Sequence, residues 1–309
     1  MSYIKPKHLK KGDVIGICAP ASPPDSFEKL EKGILYLEQC GFRIEPGKNI
    51  HRKHGYLAGT DQERADDINN LFANKHVKAI FTVRGGYGSH RILPLIDYHK
   101  IKQNPKIFIG YSDITAIQLA ILSKARLITF SGPMVAVELA EKMNEDYEEY
   151  FWEMLANPQY RIVMKSGYNK TKNNTNSEGR LIAGNLSLIT GLIGTPYFPE
   201  IKQPIYMFEE IDERPYKVDR MFQKLKLAGY IHNAKGFIIG DFSKCAPKSN
   251  KKSLTIKEIF KDLFKEFHRP VVHGIHYGHV HNSVFFPIGV KIKINCKTNT
   301  IKFLESGVQ

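Results

Sequence analysis

The stretch F-I-G-Y-S-D-I-T, residues 108–115, decides how this chain is read. KIFIG (106–110) is a short apolar run with β-branched and aromatic side chains, so it reads as a strand. Beyond it, Ile114, Ile117 and Ile121 recur at near-helical spacing, so residues 113–124 read as a helix. Ser112 stands at the join. Two roles fit it. A serine there caps a helix by accepting a hydrogen bond from a free backbone N–H, which is the commoner use. A serine there can also be a nucleophile, held at the carboxyl end of a sheet beside a helix N-terminus that favours negative charge.

Working outward, the first half of the chain alternates. DVIGICA (13–19) and KAIFTV (78–83) read as strands, as does RLITFSG (126–132). Between them, Phe27, Leu30, Ile34 and Leu37 form a helical stripe that Asp25 and Glu28 cap as a box and Gly41 closes. Thr60 and Glu63 make a second capping-box pattern ahead of Ile68, Leu71 and Phe72. HRILPLID (90–97) reads as a short helix broken near Pro94. Strands alternating with helices predict an α/β fold with a mainly parallel sheet covered on both faces.

SGYNKTKNNTNSEG (166–179) is polar and lacks apolar periodicity, so it reads as an exposed linker. It divides the chain into an α/β domain, 1–165, and a second domain, 180–309. The second half is more mixed. PIYMFEEI (204–211) and KGFIIGDF (235–242) read as strands, and helices begin at Pro215 and within LTIKEIFKDLFKEF (254–267). VKIKINCKTNTIKFLES (290–306) reads as a hairpin around KTNT. The expectation is a smaller, β-rich α+β domain.

With 42% hydrophobic and 25% charged residues, the composition is that of an ordinary soluble globular chain. Cys18, Cys40, Cys245 and Cys296 are scattered without a C-x-x-C pair, which excludes a disulfide framework and a zinc-finger pattern and suits a reducing compartment such as the cytoplasm. The start of the chain loosely imitates a signal peptide, but Asp13, Gly16 and Pro20 interrupt its apolar run. No stretch approaches the length of a membrane span. The formal charge of +14 attracts anions, yet it is spread along the chain, with only the short KSNKK (248–252) concentrated and no nucleic-acid motif beside it. It reads as a basic solvated surface.

Three segments carry candidate chemistry. In VRGGYGSHR (83–91), a glycine-rich loop after a strand leaves backbone N–H groups open to an anion or oxyanion; a tight turn needing positive φ explains the same glycines. The loop matches neither the dinucleotide fingerprint nor a Walker loop. In MFEEIDERPY (207–216), four acids surround the end of a strand. Acids there are usually solvated, though one at a strand end can orient a catalytic histidine. HGIHYGHVH (273–281) holds His273, His276, His279 and His281. On a strand His279 and His281 would share a face and His276 would point away. Their spacing matches no established zinc motif, and a single catalytic histidine fits as well. Serine, then acid, then histidine is also the chain order of α/β-hydrolases, but GYSDI is not G-x-S-x-G: Ile114 stands where the last glycine belongs.

Five of these segments, in this order, resemble the L,D-carboxypeptidase family of serine peptidases, which includes the murein-tetrapeptide carboxypeptidases and the microcin C self-immunity peptidases. They are GDVIGICAPASP, VRGGYGSHRILPLID, GYSDIT, FEEIDERPYKVDRM and YGHVHNSVFFPIGV, with AGNLSLITGLIGTPYFP resembling the opening of the family's second domain. The resemblance implies Ser112 as nucleophile, His279 as general base and then acid, and Glu209 as the group that orients His279. It implies an oxyanion hole from the backbone N–H groups of Gly86 and Asp113. It further implies a two-domain fold with the site between the domains, a homodimer, and no metal or cofactor. The expected reaction is release of terminal D-alanine from a murein tetrapeptide during cell-wall recycling. The rival within the family is cleavage of aminoacyl- or peptidyl-adenylate analogues. Outside it stand a metallohydrolase built on the histidine cluster and a nucleic-acid-binding protein suggested by charge alone. Phe208 departs from the family's commoner leucine before Glu209, and His276 stands where a non-titrating residue is usual.

Overall fold

Short apolar runs build the first sheet. The computed structural model describes residues 3–169, 176–247 and 252–309. In it β1 (Val14–Cys18), β2 (Arg43–Pro46), β3 (Val77–Thr82), β4 (Ile107–Gly110) and β5 (Thr129–Ser131) lie parallel. Apart from Lys78, β1, β3, β4 and β5 are buried along their whole length, as a sheet covered on both faces requires. The strand order is β5-β4-β3-β1-β2, so the chain reverses its direction of winding between β1 and β3. Crevices at such reversals are where open α/β sheets place their ligands.

Flanking helices follow the sequence pattern, with one shift. The first runs Phe27–Gln39 and is capped by Ser26, whose side chain accepts from Lys29 N; Asp25, expected to cap it, instead pairs with Arg84. The Thr60–Glu63 box is present in full at the head of Asp61–Ala73. Ser89–Ile92 is a single helical turn that tightens into a 3₁₀ turn at Leu93–Leu95, where Pro94 removes a donor. The helix Thr115–Lys124 is buried on nearly every side.

The second sheet is mixed. Its strands are β6 (Val163–Lys165), β7 (Tyr168–Asn169), β8 (Ser177–Asn185), β9 (Ile205–Ile211), β10 (Gly236–Ser243) and β11 (Val271–His273), then β13 (Lys291–Asn295) and β14 (Thr300–Phe303). They run in the order β6-β14-β13-β8-β9-β10-β11-β7, parallel from β8 to β11 and antiparallel at both ends. Phe208 on β9 is absorbed into an aromatic core with Tyr206, Phe222 and Phe237.

The two sheets do not part at a single point in the chain. β12 (Phe286–Ile288) crosses back and pairs antiparallel with β5 in the first sheet. Gln309 at the C-terminus exchanges backbone hydrogen bonds with Pro6 and His8. Residues 168–169 and 177–179 of the expected linker lie in strands β7 and β8; its residues 170–175, like 248–251 of the basic KSNKK run, lie outside the described residues. Among the described residues no helix is long and apolar enough to cross a membrane.

Candidate active site

The join that opened the sequence reading is a sharp corner. Tyr111 is extended, with φ −154° and ψ −169°, and Ser112 then takes φ 62°. A left-handed conformation at a residue with a side chain costs about 1–3 kcal/mol and persists only where the surroundings impose it. Here a 3₁₀ turn, Ser112–Ile114, runs directly into the helix Thr115–Lys124. Tyr111 stands at the N-cap of that turn and Ile114 at the N-cap of the helix, and Ser112 Oγ is bonded instead to His279. Ser112 is therefore not an N-cap, and the strained turn holds it, half-buried, in the setting of a nucleophile elbow without the G-x-S-x-G pattern.

Glycines let the neighbours close in. A Cβ on Gly85 would lie 2.9 Å from Ser112 Cβ, 3.1 Å from Ser112 Oγ and 3.4 Å from the Asp113 backbone nitrogen. Gly86 has φ +107°, and a Cβ there would strike Ser22 Oγ at 2.4 Å. Ser22 knits the loop to the end of β1: its N–H donates to Gly85 O, and its Oγ accepts from Tyr87 N. Arg64 braces the loop from behind, donating to Pro20 O and, at 3.0 Å, to Gly88 O. Asp113 is buried, and its carboxylate accepts from Ser89 N at 2.8 Å; burial pushes that carboxyl above its usual range. The glycine-rich loop after β3 is thus packed, at Gly85, against Ser112 and the Asp113 backbone nitrogen at the carboxyl end of β4.

The second sheet brings the acid and the histidine. Glu209 and Glu210 fall within β9 and are 1% and 2% exposed, which corrects the expectation of solvated acids. A flanking aromatic core and the parallel neighbours β8 and β10 enclose the strand up to its carboxyl end. Glu210 accepts from Asn185 Nδ2 at 2.8 Å and from Ser187 N and Oγ at 2.8 and 2.7 Å. Asn185 N in turn donates to Thr115 Oγ1, fastening β8 to the helix that follows Ser112.

Beyond His273, which ends β11, the histidine segment is not a strand, so the expected face-sharing of His279 and His281 does not occur. Gly278 at φ +129° and Asn282 at φ 58° turn the backbone on either side. His276 and His281 are exposed, and His276 lies beside Asp241. Only His279 turns into the site. Its Nδ1–H donates to Glu209 Oε2 at 2.8 Å, and its Nε2 accepts from Ser112 Oγ at 2.9 Å. The carboxylate fixes which ring nitrogen carries the proton, leaving Nε2 free to accept the serine proton. Burial disfavours the imidazolium, but the Glu209 hydrogen bond and charge, with the charges of Glu210 and Glu138, outweigh it and hold His279 above its ordinary pKa.

Among the described residues no group of three or more His, Cys, Asp or Glu is placed to hold a metal ion. The structure also adds two residues to the site that sequence reading did not single out. The Tyr111 ring packs on His279, with centroids 5.3 Å apart, and its OH donates to Glu138 at 2.6 Å.

The fold and site together define a two-sheet α/β protein with a serine–histidine–glutamate hydrogen-bond line between the sheets. The chain belongs to the LD-carboxypeptidase family: residues 15–132 match its N-terminal domain and 178–294 its C-terminal domain. It is 37% identical to a Bacillus subtilis (strain 168) protein named "Probable murein peptide carboxypeptidase", over 98% of this chain and 95% of that one. It superposes on the microcin C7 self-immunity protein MccF in complex with adenosine monophosphate with a TM-score of 0.90, at 28% identity over 99% of this chain and all (100%) of that one. It also matches the muramoyltetrapeptide carboxypeptidase of Oxalobacter formigenes with a TM-score of 0.83, at 28% identity over 94% and 97% of the two chains.

Proposed function

We propose that the protein is a serine carboxypeptidase that releases terminal D-alanine from a murein tetrapeptide by cleaving the L,D bond. The observation that carries this reading is the unbroken line Ser112 Oγ–His279 Nε2, His279 Nδ1–Glu209 Oε2, at 2.9 and 2.8 Å. A serine hydroxyl is a weak nucleophile and requires such an oriented base.

Ser112 attacks the carbonyl carbon of the bond to D-alanine as His279 takes its proton. Glu209, buried with the ring as its hydrogen-bond partner, stabilises the imidazolium that forms. The backbone N–H groups of Gly86 and Asp113 hold the oxyanion, each donor worth about 3–4 kcal/mol in such sites. His279 then protonates the departing amine, and D-alanine leaves. Water, activated by the same ring, releases the tripeptide and restores Ser112. A net charge of +14 suits a substrate bearing several carboxylates. On this reading the protein acts in the cytoplasm, as a homodimer, in turnover of cell-wall peptides.

A second reading is favoured by the superposition on the microcin C7 self-immunity protein, with solved complexes holding adenosine monophosphate and aspartyl sulfamoyl adenosine. There the same serine would attack the acyl carbon of an aminoacyl- or peptidyl-adenylate analogue. Incubating purified protein in parallel with L-Ala-γ-D-Glu-meso-diaminopimelyl-D-Ala and with an aspartyl-adenylate analogue, followed by mass spectrometry, separates the two. Loss of D-alanine from the tetrapeptide is the expected result. Cleavage of the adenylate analogue alone would transfer the assignment to the second reading.

A further inference from the structure

His279 is held from two sides. Glu209 reaches Nδ1 from β9 of the second sheet. From the first sheet comes Tyr111, the residue immediately before Ser112, with its ring inclined 59° to the imidazole at a centroid distance of 5.3 Å. Tyr111 is itself tied down. Its OH donates to Glu138 Oε1 at 2.6 Å, and the other carboxylate oxygen accepts from Met134 N at 3.0 Å. The segment carrying Glu138 is anchored to the strand that precedes the glycine-rich loop, because Val135 N donates to Thr82 O and Ala136 N to Val83 O. The catalytic line does not use this half-buried carboxylate, which two donors nonetheless hold in place beside the Tyr111 ring.

We propose that Tyr111 and Glu138 are a positioning pair, in which the tied phenol ring fixes the plane of His279 and the Glu138 carboxylate adds, from the first sheet, to the negative charge that stabilises its imidazolium. The pair acts through His279 and touches no reacting atom. The charged and titratable groups facing His279 are then Glu209 and Glu210 from β9, Glu138 from the segment after β5, and the phenol of Tyr111 after β4. All three carboxylates act in one direction, raising the affinity of the ring for a proton. Burial pushes the Glu138 carboxyl upward, while the Met134 N–H, the Tyr111 OH and the imidazolium favour its charged form. Loss of the Tyr111 hydroxyl therefore weakens that charge and moves His279 the same way as loss of the charge itself.

The pair is read as serving the proposed serine chemistry, but its test does not depend on which substrate is cleaved. Wild-type protein, Glu138→Gln and Tyr111→Phe are labelled with ¹⁵N-histidine, and the His279 resonance, identified by its loss in His279→Gln, is titrated by NMR. The rate of labelling by a fluorophosphonate serine probe is followed against pH on the same samples. Glu138→Gln is expected to lower the His279 midpoint by up to about 1 pH unit, the low end of what a close opposite charge exerts, since Glu138 acts from behind the Tyr111 ring. The acid limb of probe labelling should move down with it, and the plateau rate should fall about tenfold. Tyr111→Phe should shift the midpoint in the same direction by less and lower the plateau several-fold. An unchanged His279 midpoint in a folded Glu138→Gln overturns the proposal. If Glu138→Gln does not fold, an unchanged midpoint and plateau in Tyr111→Phe overturns it equally. Failure of the peptidase reading would show instead as wild-type protein that cleaves neither substrate, whatever the titrations give.

Discussion

Gly278 and Glu209 compete for the same space. A Cβ on Gly278 would lie 2.8 Å from Glu209 Cβ and 2.8 Å from Oε2, the oxygen that His279 holds, and the glycine sits at φ +129°. The residue before the histidine must therefore be one without a side chain. Gly278→Ala is expected to displace the carboxylate from Nδ1 and lower turnover about tenfold to a hundredfold, the scale of a small misplacement of a catalytic group. Strain at that φ adds about 1–3 kcal/mol of destabilisation. Steady-state kinetics beside a urea melt separates the two; full activity in a folded variant would refute the steric account.

The glycine-rich loop makes a parallel prediction. A methyl group on Gly85 would meet Ser112 Cβ at 2.9 Å and stand in front of the Asp113 amide at 3.4 Å. Gly85→Ala is expected to reduce kcat more than it raises KM, by roughly the 10²–10³-fold of a lost oxyanion donor. Its φ is ordinary, so the fold should persist. A variant impaired only in KM would place the oxyanion elsewhere.

The pH dependence follows from the sign of the His279 shift. The ring must be neutral to accept the serine proton, and its pKa is held above the ordinary histidine value. The acid limb of kcat/KM should accordingly lie above about pH 6.5. The stability contribution has the matching form. It is fully present below about pH 6.5, where folded and unfolded histidine are both charged, and is lost as pH rises through the folded value. A Glu209→Gln variant should move the limb downward and lower turnover by about a hundredfold or more, since a triad acid sets both tautomer and charge. An acid limb at or below the ordinary value in wild type would contradict the assignment of His279 as base.

Asn185 joins the two sheets, giving its N–H to Thr115 and its side-chain amide to the buried Glu210. Asn185→Leu leaves that carboxylate short of a donor, which costs about 2–3 kcal/mol by the scale of an unsatisfied buried acceptor. The expected result is a lower urea midpoint. Stability unchanged in that variant would mean that Ser187 and the Ile211 amide suffice to satisfy Glu210.

Much of this was legible in the sequence. The run from Phe108 to Ile121 gave strand, corner and helix, because apolar periodicity switches there from sheet to helix. Glu209 was legible as an acid at a strand end, but not its burial, which depends on Tyr206, Phe222 and Phe237 closing around β9. His279 could not be told from its three neighbours by spacing. What selects it is the backbone turn at Gly278 and Asn282, a tertiary constraint with only a faint signal in Y-G-H. Phe286–Ile288 gave no hint of leaving its own sheet for β5, since a three-residue strand pairs by context alone. Glu138 stands in a segment without apolar periodicity, so nothing in the sequence marks it.

The central claim is that Ser112 forms a covalent acyl intermediate. Its most direct test is rapid quenching of wild-type protein with L-Ala-γ-D-Glu-meso-diaminopimelyl-D-Ala, then peptide mapping by mass spectrometry, with Ser112→Ala alongside. The account predicts a tripeptide acyl group on the fragment containing Ser112, free D-alanine in solution, and turnover reduced at least about a thousandfold in Ser112→Ala. D-alanine release that persists undiminished in Ser112→Ala, with no adduct on the wild-type serine, would contradict it.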